Sequence, residues 1–158
     1  MKLSDSTILT VTTIGAALAA LFALIGLTTP KWLRSGYGLW NCNNVCSTST
    51  AVLTVLALIF LVISSILLII LLMRLFPRKL RFVPLGLLII ATLFLLISTA
   101  TYLRQFRVIG YSFELIVTAH AFAFLASVLL AFWYGTTVND KPAIRSTVLT
   151  PTIVLPSS

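Results

Sequence analysis

The side chains that could do chemistry are few in this sequence and lie far apart. The 158 residues include one histidine, two cysteines and three acidic residues. Catalysis needs a nucleophile, a base or metal ligands that converge on one point. The acidic residues Asp5, Glu114 and Asp140 fall in three separate parts of the chain, and the sequence has no paired carboxylates, phosphate-binding loop or metal-ligand cluster. It therefore predicts a protein without catalytic residues, metal or cofactor.

The two cysteines form the closest pair of reactive side chains. Three residues separate Cys42 from Cys46. In an exported segment such a pair can persist as a disulfide. A metal site would need further ligands, and no other Cys or His is nearby. The sequence favours a Cys42–Cys46 disulfide, with two unpaired thiols as the alternative.

Four apolar stretches decide where these residues can lie. The chain is 59% hydrophobic and 9% charged, with a mean hydropathy of +1.13, which is more apolar surface than a soluble domain of this length can bury. The stretches span residues 8–28, 50–73, 83–103 and 115–135, and none contains Asp, Glu, Lys or Arg. Each has the ~20 residues that a membrane-spanning helix needs. The sequence predicts an all-α membrane protein: a four-helix transmembrane bundle over residues 1–135, followed by a flexible cytoplasmic tail at 136–158.

The basic residues set the predicted orientation. The net charge of +8 comes from short runs between the apolar stretches, a pattern typical of membrane topology signals and not of a nucleic-acid site. With both termini in the cytoplasm, most of the cations lie inside. The link between the second and third stretches carries four of them: Arg74, Arg78, Lys79 and Arg81. We expect this cytoplasmic basic loop to meet anionic lipid.

The first exported loop, residues 29–49, combines these features in a specific order. Its aromatic residues could form no more than an interfacial belt around a turn. Their order along the chain is Trp32, then Gly38, Leu39 and Trp40, then Cys42 and Cys46. This order, directly after the first of four apolar stretches, resembles the signature of the claudin, peripheral myelin protein and epithelial membrane protein superfamily. That superfamily also includes the gamma-type auxiliary subunits of calcium channels and glutamate receptors.

The resemblance carries several expectations. It implies a left-handed four-helix bundle, a small β element in the first exported loop pinned by a Cys42–Cys46 disulfide, and an anchoring role for Trp32, Gly38, Leu39 and Trp40. The loop of about 21 residues is less than half as long as in the barrier-forming members. It leaves little sheet to reach a neighbouring cell.

Small residues predict which helices pack closely, because they let backbones approach in lipid. They recur every four residues in the first and fourth stretches: Gly15, Ala19 and Ala23, and Ala119, Ala123, Ser127, Ala131 and Gly135. We expect these two helices to pair and the second helix to be the more exposed to lipid. The five-residue row on the fourth helix could instead face another protein.

His120 is the one ionisable residue inside a predicted span. Such residues often mark function, but a neutral imidazole can also bond a neighbouring helix. A proton relay would need more ionisable groups across the membrane, so a structural role is favoured.

Two function classes follow from these features. The first is a lateral partner, a multi-pass integral protein that we assign to the plasma membrane. Such a protein is surrounded by lipid and packs against a larger channel, receptor or transporter, or against itself. The alternative is a claudin-like cell–cell junction or paracellular barrier protein. The short exported loop favours the lateral partner.

Overall fold

The protein is a bundle of four α-helices. The computed structural model describes residues 5–32, 48–73, 80–105 and 110–139. In chain order the helices are α1 (Asp5–Thr28), α2 (Thr48–Leu72), α3 (Val83–Gln105) and α4 (Tyr111–Asn139). Each corresponds to one predicted apolar stretch, with α2 ending one residue before the predicted end at 73, so the four-helix fold class is confirmed.

The helix bounds differ from the predicted ones mainly at α4. This helix begins at Tyr111 instead of residue 115 and continues to Asn139, past the predicted domain boundary at residue 135. The rest of the predicted tail lies outside the described residues, as do residues 33–47 of the loop predicted to hold a β element.

All four helices are long and apolar enough to cross a membrane. Large aliphatic and aromatic side chains cover the outside of the bundle, among them Ile66, Leu93 and Phe132. Such a surface is stable in lipid, where the helix satisfies its own backbone hydrogen bonds. The chain is therefore a multi-pass integral membrane protein in contact with lipid.

Buried side chains recur at alternating intervals of three and four residues along each helix. On α2 they are Thr54, Ala57, Leu61, Ser64, Leu68 and Leu71, and on α4 they are Ile116, Ala119, Ala123, Ala126, Leu130 and Trp133. An average spacing of 3.5 residues is the repeat of helices that wind around one another with a left-handed twist. The helices therefore pack through heptad-like seams.

The helices form a ring in which each contacts the next along the chain and α4 closes on α1. The α1–α4 and α2–α3 contacts are the most extensive, as the small residues predicted for the first pair. The burial of the apolar spans does not single out α2 as the more lipid-exposed helix, as the sequence predicted: 33% of its span is buried, the same share as for α4, against 28% for α1 and 39% for α3.

Small side chains bring α1 and α4 together. Ala16, Ala19 and Ala23 of α1 are fully buried, as are Ala119 and Ala123 of α4. A Cβ added at Gly15 would lie 3.6 Å from the Cβ of Ala126, an ordinary contact distance. Alanine-sized side chains therefore form the α1–α4 contact, and an alanine would also fit at Gly15.

Hydroxyl groups join α2 to α3. The Thr54 and Ser98 hydroxyl oxygens lie 2.7 Å apart in a buried hydrogen bond. The Ser98 hydroxyl also lies 3.3 Å from the carbonyl oxygen of Thr50. Near the other end, the Ser64 hydroxyl donates to the carbonyl of Pro84 at 3.1 Å. These bonds help to hold α2 against α3, since aliphatic side chains alone would prefer lipid and protein about equally.

Candidate functional site

The most elaborate polar arrangement lies at the end of the bundle where α1 and α3 finish and α4 begins, which is the predicted exported end. Here the chain after α1 pairs with the start of α4. Gly110 N–H donates to the carbonyl of Trp32 at 2.9 Å, and Ser112 N–H donates to that of Lys31 at 3.2 Å. The Ser112 hydroxyl adds a bond of 3.1 Å to the carbonyl of Thr29. We call the group Lys31, Trp32, Tyr102, Gly110 and Ser112 the outer clasp.

Trp32 is the centre of the outer clasp. Its side chain is 1% exposed, and its indole N–H donates to the carbonyl of Gly26 on α1 at 2.8 Å. The indole meets Tyr102 edge-on, with ring centroids 5.2 Å apart, and lies 6.5 Å from the ring of Phe113. The residue is therefore a core side chain with a satisfied donor, and not a member of an interfacial belt.

Tyr102 brings α3 into the same cluster. Its hydroxyl donates to the carbonyl of Trp32 at 2.7 Å, and its ring stacks on Phe113 of α4 at 5.0 Å. The carbonyl of Trp32 thus accepts from both Tyr102 and Gly110. Through this single peptide unit the outer clasp connects α1, α3 and α4.

Two glycines make room for the outer clasp. A Cβ at Gly110 would lie 2.2 Å from the carbonyl oxygen of Lys31 and 2.6 Å from that of Trp32, closer than atoms can approach. At Gly26 a Cβ would lie 2.8 Å from Cδ1 of Ile116. A side chain at Gly110 would meet backbone and force residues 31–32 away from the start of α4. A side chain at Gly26 would first displace the end of the Ile116 side chain.

The sequence pointed to Trp32 but missed its partners. Tyr102, Gly110 and Ser112 lie far from Trp32 along the chain, and no local spacing connects them to it. The one local signal is a glycine directly before a helix at Gly110. The other predicted loop residues, Gly38, Leu39, Trp40, Cys42 and Cys46, lie outside the described residues, so the disulfide and the loop-anchoring role remain predictions.

The predicted row of small residues on α4 divides between two faces. Ala119, Ala123 and Ser127 are buried, whereas Ala131 and Gly135 are exposed, and a Cβ added at Gly135 would meet nothing within 4 Å. A four-residue spacing drifts around the helix, because a helix turn takes 3.6 residues. The row therefore cannot form one contact face, and its last two members point away from the bundle.

Those two residues belong to an outward stripe on α4 with the same alternating spacing as the seam. Its members are all exposed: Val117, Ala121, Phe124, Val128, Ala131 and Gly135. Three of the six are Ala or Gly. The corresponding exposed side chains of α2 are large aliphatic residues such as Val52, Ile59 and Ile66.

His120 lies on the α3 side of α4. The side chain is half-buried, and the imidazole is within hydrogen-bonding reach of the backbone of Thr92 on α3. Its Nδ1 is buried, without a hydrogen-bond partner among the described residues. In the part of the chain that the structure describes, no group of three His, Cys, Asp or Glu residues could hold a metal ion.

Of the predicted basic loop, the structure describes Arg81; Arg74, Arg78 and Lys79 lie outside the described residues. Arg81 stands just before α3, at the opposite end of the bundle from the outer clasp. It lies close enough to Tyr134 on α4 for an electrostatic interaction.

No protein-family model and no curated protein sequence matches this chain.

Proposed function

We propose that the protein is a non-enzymatic, claudin-like tetraspan of the plasma membrane. It packs laterally against a larger channel, receptor or transporter as an auxiliary or assembly subunit. The single observation that carries the proposal is the outward stripe on α4, where Ala121, Ala131 and Gly135 are exposed beside Phe124 and Phe132.

The outward stripe suits another helix better than it suits lipid alone. Small residues let a second backbone approach closely, and in lipid this close packing is a main source of helix association. Ala131 and Gly135 contribute nothing to the interior of the bundle, unlike Ala119 and Ala123. The neighbouring rings of Phe124 and Phe132 would fill the grooves of a partner helix.

The interior of the bundle favours the role of an auxiliary subunit over that of a transporter. The buried polar residues of α2 and α3 are Thr and Ser, and they bond each other or backbone carbonyls. They hold the helices together, which leaves the outer surface as the place where a partner acts.

The proposal is tested by gentle purification of the tagged protein from its native cells, with stoichiometry measured by mass spectrometry. We expect recovery with one larger membrane protein at a fixed ratio. Ala131→Leu and Gly135→Leu should reduce that recovery while leaving the thermal stability of the purified protein unchanged. Ile66→Leu on the outside of α2 is the matched control and should leave the recovery unchanged.

Recovery as homopolymers enriched at cell–cell contacts would contradict the lateral-partner proposal and support the junction alternative. A complex that tolerates both substitutions on α4 would show that the outward stripe is not the contact surface.

A further inference from the structure

Glu114 is an ionisable residue on the outer surface of the bundle. The structure extends the membrane-spanning part of α4 to Tyr111–Thr136, which includes Glu114, whereas the sequence predicted a span that begins at residue 115. The side chain of Glu114 is exposed. An ionisable side chain within a spanning helix is costly to keep in contact with lipid and commonly marks a functional contact. Glu114 is therefore a candidate contact for a partner.

Exposed apolar side chains extend outward past Glu114 on two helices. Tyr111, which lies ~4.5 Å nearer the outer end of α4, is 61% exposed. The ring of Tyr102 on α3 stacks on Phe113 of α4, so the next residue on α3, Leu103, lies level with the first turn of α4. Leu103 is 50% exposed. The backbone of Glu114 thus lies inside the apolar boundary of the bundle.

The bundle itself does not neutralise this carboxylate. Among the residues that the structure describes, no basic side chain forms an ion pair with Glu114. The described cations of this end are Lys31 and Arg104, and both are exposed. A carboxylate at the edge of the lipid gains most from an opposite charge close by, because the surroundings screen it less than bulk water does. The complementary group is therefore a cation from outside the bundle.

Glu114 lies on the same face of α4 as the outward stripe. The stripe alternates steps of three and four residues from Val117 to Gly135, and Glu114 continues this alternation three residues before Val117. A helix that packs along the stripe would therefore end beside the carboxylate. A second copy of this chain is disfavoured there. Copies related by a two-fold axis along the membrane normal place the same face against itself, which would bring two Glu114 carboxylates together.

We propose that the partner helix on the outward stripe carries an arginine or lysine at its outer end, which pairs with Glu114. This inference rests on the proposed function, since it names the chemistry of the same lateral partner. The ion pair sets the position of the partner along the stripe, because only one register brings the cation level with Glu114. The apolar part of that helix then packs on the rest of the stripe, from Val117 to Gly135.

The test uses the full-length protein and, as the probe, a designed single-span helix of Leu and Ala expressed in the same membrane. A basic cytoplasmic flank fixes the orientation of the probe, and energy transfer between fluorescent tags on the C-termini measures association. The probe carries Arg, Gln or Glu at its outer boundary. We expect association to fall in that order. The Arg probe should bind about threefold to fivefold more tightly than the Gln probe, as for an exposed ion pair.

Variants of Glu114 separate its charge from its size. Glu114→Gln keeps the size and removes the charge, so it should abolish the difference between the Arg and Gln probes. Glu114→Lys should reverse the order and favour the Glu probe. Arg104→Gln, which removes an exposed charge of the same end on α3, is the matched control and should keep the wild-type order. The melting temperatures of the purified variants check that the bundle is intact.

Equal association of the three probes with the wild-type protein, or an unchanged order in Glu114→Gln, would overturn the proposal. It would also be overturned by energy transfer between two copies of the protein that exceeds transfer to the Arg probe and is lost in Gly135→Leu, because the stripe would then take a second copy. A native complex that tolerates Glu114→Gln would overturn this inference and leave the proposed function standing. Failure of the proposed function differs: the protein is then recovered from its native cells without a larger membrane protein.

Discussion

The hydroxyl of Tyr102 donates a hydrogen bond of 2.7 Å to the backbone carbonyl of Trp32, a residue 70 positions earlier in the chain. The same carbonyl accepts the N–H of Gly110 at 2.9 Å. One peptide oxygen thus connects the end of α1 to α3 and α4. It fixes the position of the chain at Trp32, the first residue of the motif that the sequence analysis singled out.

Removing the Tyr102 hydroxyl should loosen this connection without disturbing the rings. Tyr102→Phe keeps the stacking on Phe113 and the edge contact with Trp32 but deletes the donor. We expect a loss of about 1 kcal/mol in the free energy of unfolding, since the Trp32 carbonyl retains its bond to Gly110. Thermal unfolding in detergent measures it. Tyr111→Phe, at an exposed position of the same end, should have no effect; an equal change in both variants would contradict this role.

Gly110 should tolerate no side chain. Gly110→Ala places a Cβ 2.2 Å from the backbone oxygen of Lys31, and backbone cannot move aside as a flexible side chain can. We expect a destabilisation of roughly 1–3 kcal/mol or more, from the overlap and the broken pairing with Trp32. The melting temperature in detergent reports it.

The matched control is Gly86→Ala on α3, where an added Cβ meets nothing within 4 Å. This variant should be neutral or slightly more stable, because alanine favours the helix. A Gly110→Ala protein as stable as Gly86→Ala would mean that the outer clasp does not form as described.

The two halves of the small-residue row on α4 should respond in opposite ways to a larger side chain. Ala123→Leu inserts bulk into a fully buried contact with α1 and should destabilise the protein by about 1–3 kcal/mol. Ala131→Leu lies on the outward stripe and should leave the stability of the isolated protein unchanged. Unfolding in detergent compares the two, and a loss in Ala131→Leu as large as in Ala123→Leu would contradict the heptad-like seam.

The hydroxyl pair between α2 and α3 should show a small coupling. In a double-mutant cycle of Thr54→Val and Ser98→Ala, we expect an interaction energy of roughly 0.6 kcal/mol, typical of such bonds between membrane helices. The value stays small because the Thr54 hydroxyl also bonds the carbonyl of Thr50 in its own helix. Thr118→Val removes an exposed hydroxyl bonded within α4 and serves as the uncoupled control.

The sequence alone determined the number of helices, their approximate bounds and their membrane environment. These follow from the length of the uncharged apolar stretches, since a bilayer demands about 20 such residues and a closed set of backbone hydrogen bonds. It also indicated the α1–α4 pairing, because small residues are concentrated in those two helices.

Only the tertiary structure decided which face of each helix lies inside. In a soluble bundle the polar residues mark the outside, but here Leu, Ile and Phe suit the lipid as well as the core. The sequence therefore did not indicate that the row from Ala119 to Gly135 passes from a buried to an exposed face. The outer clasp could not be predicted from the sequence for a different reason. Trp32, Tyr102 and Gly110 belong to separate parts of the chain, and only the packing of α4 against α1 brings them together.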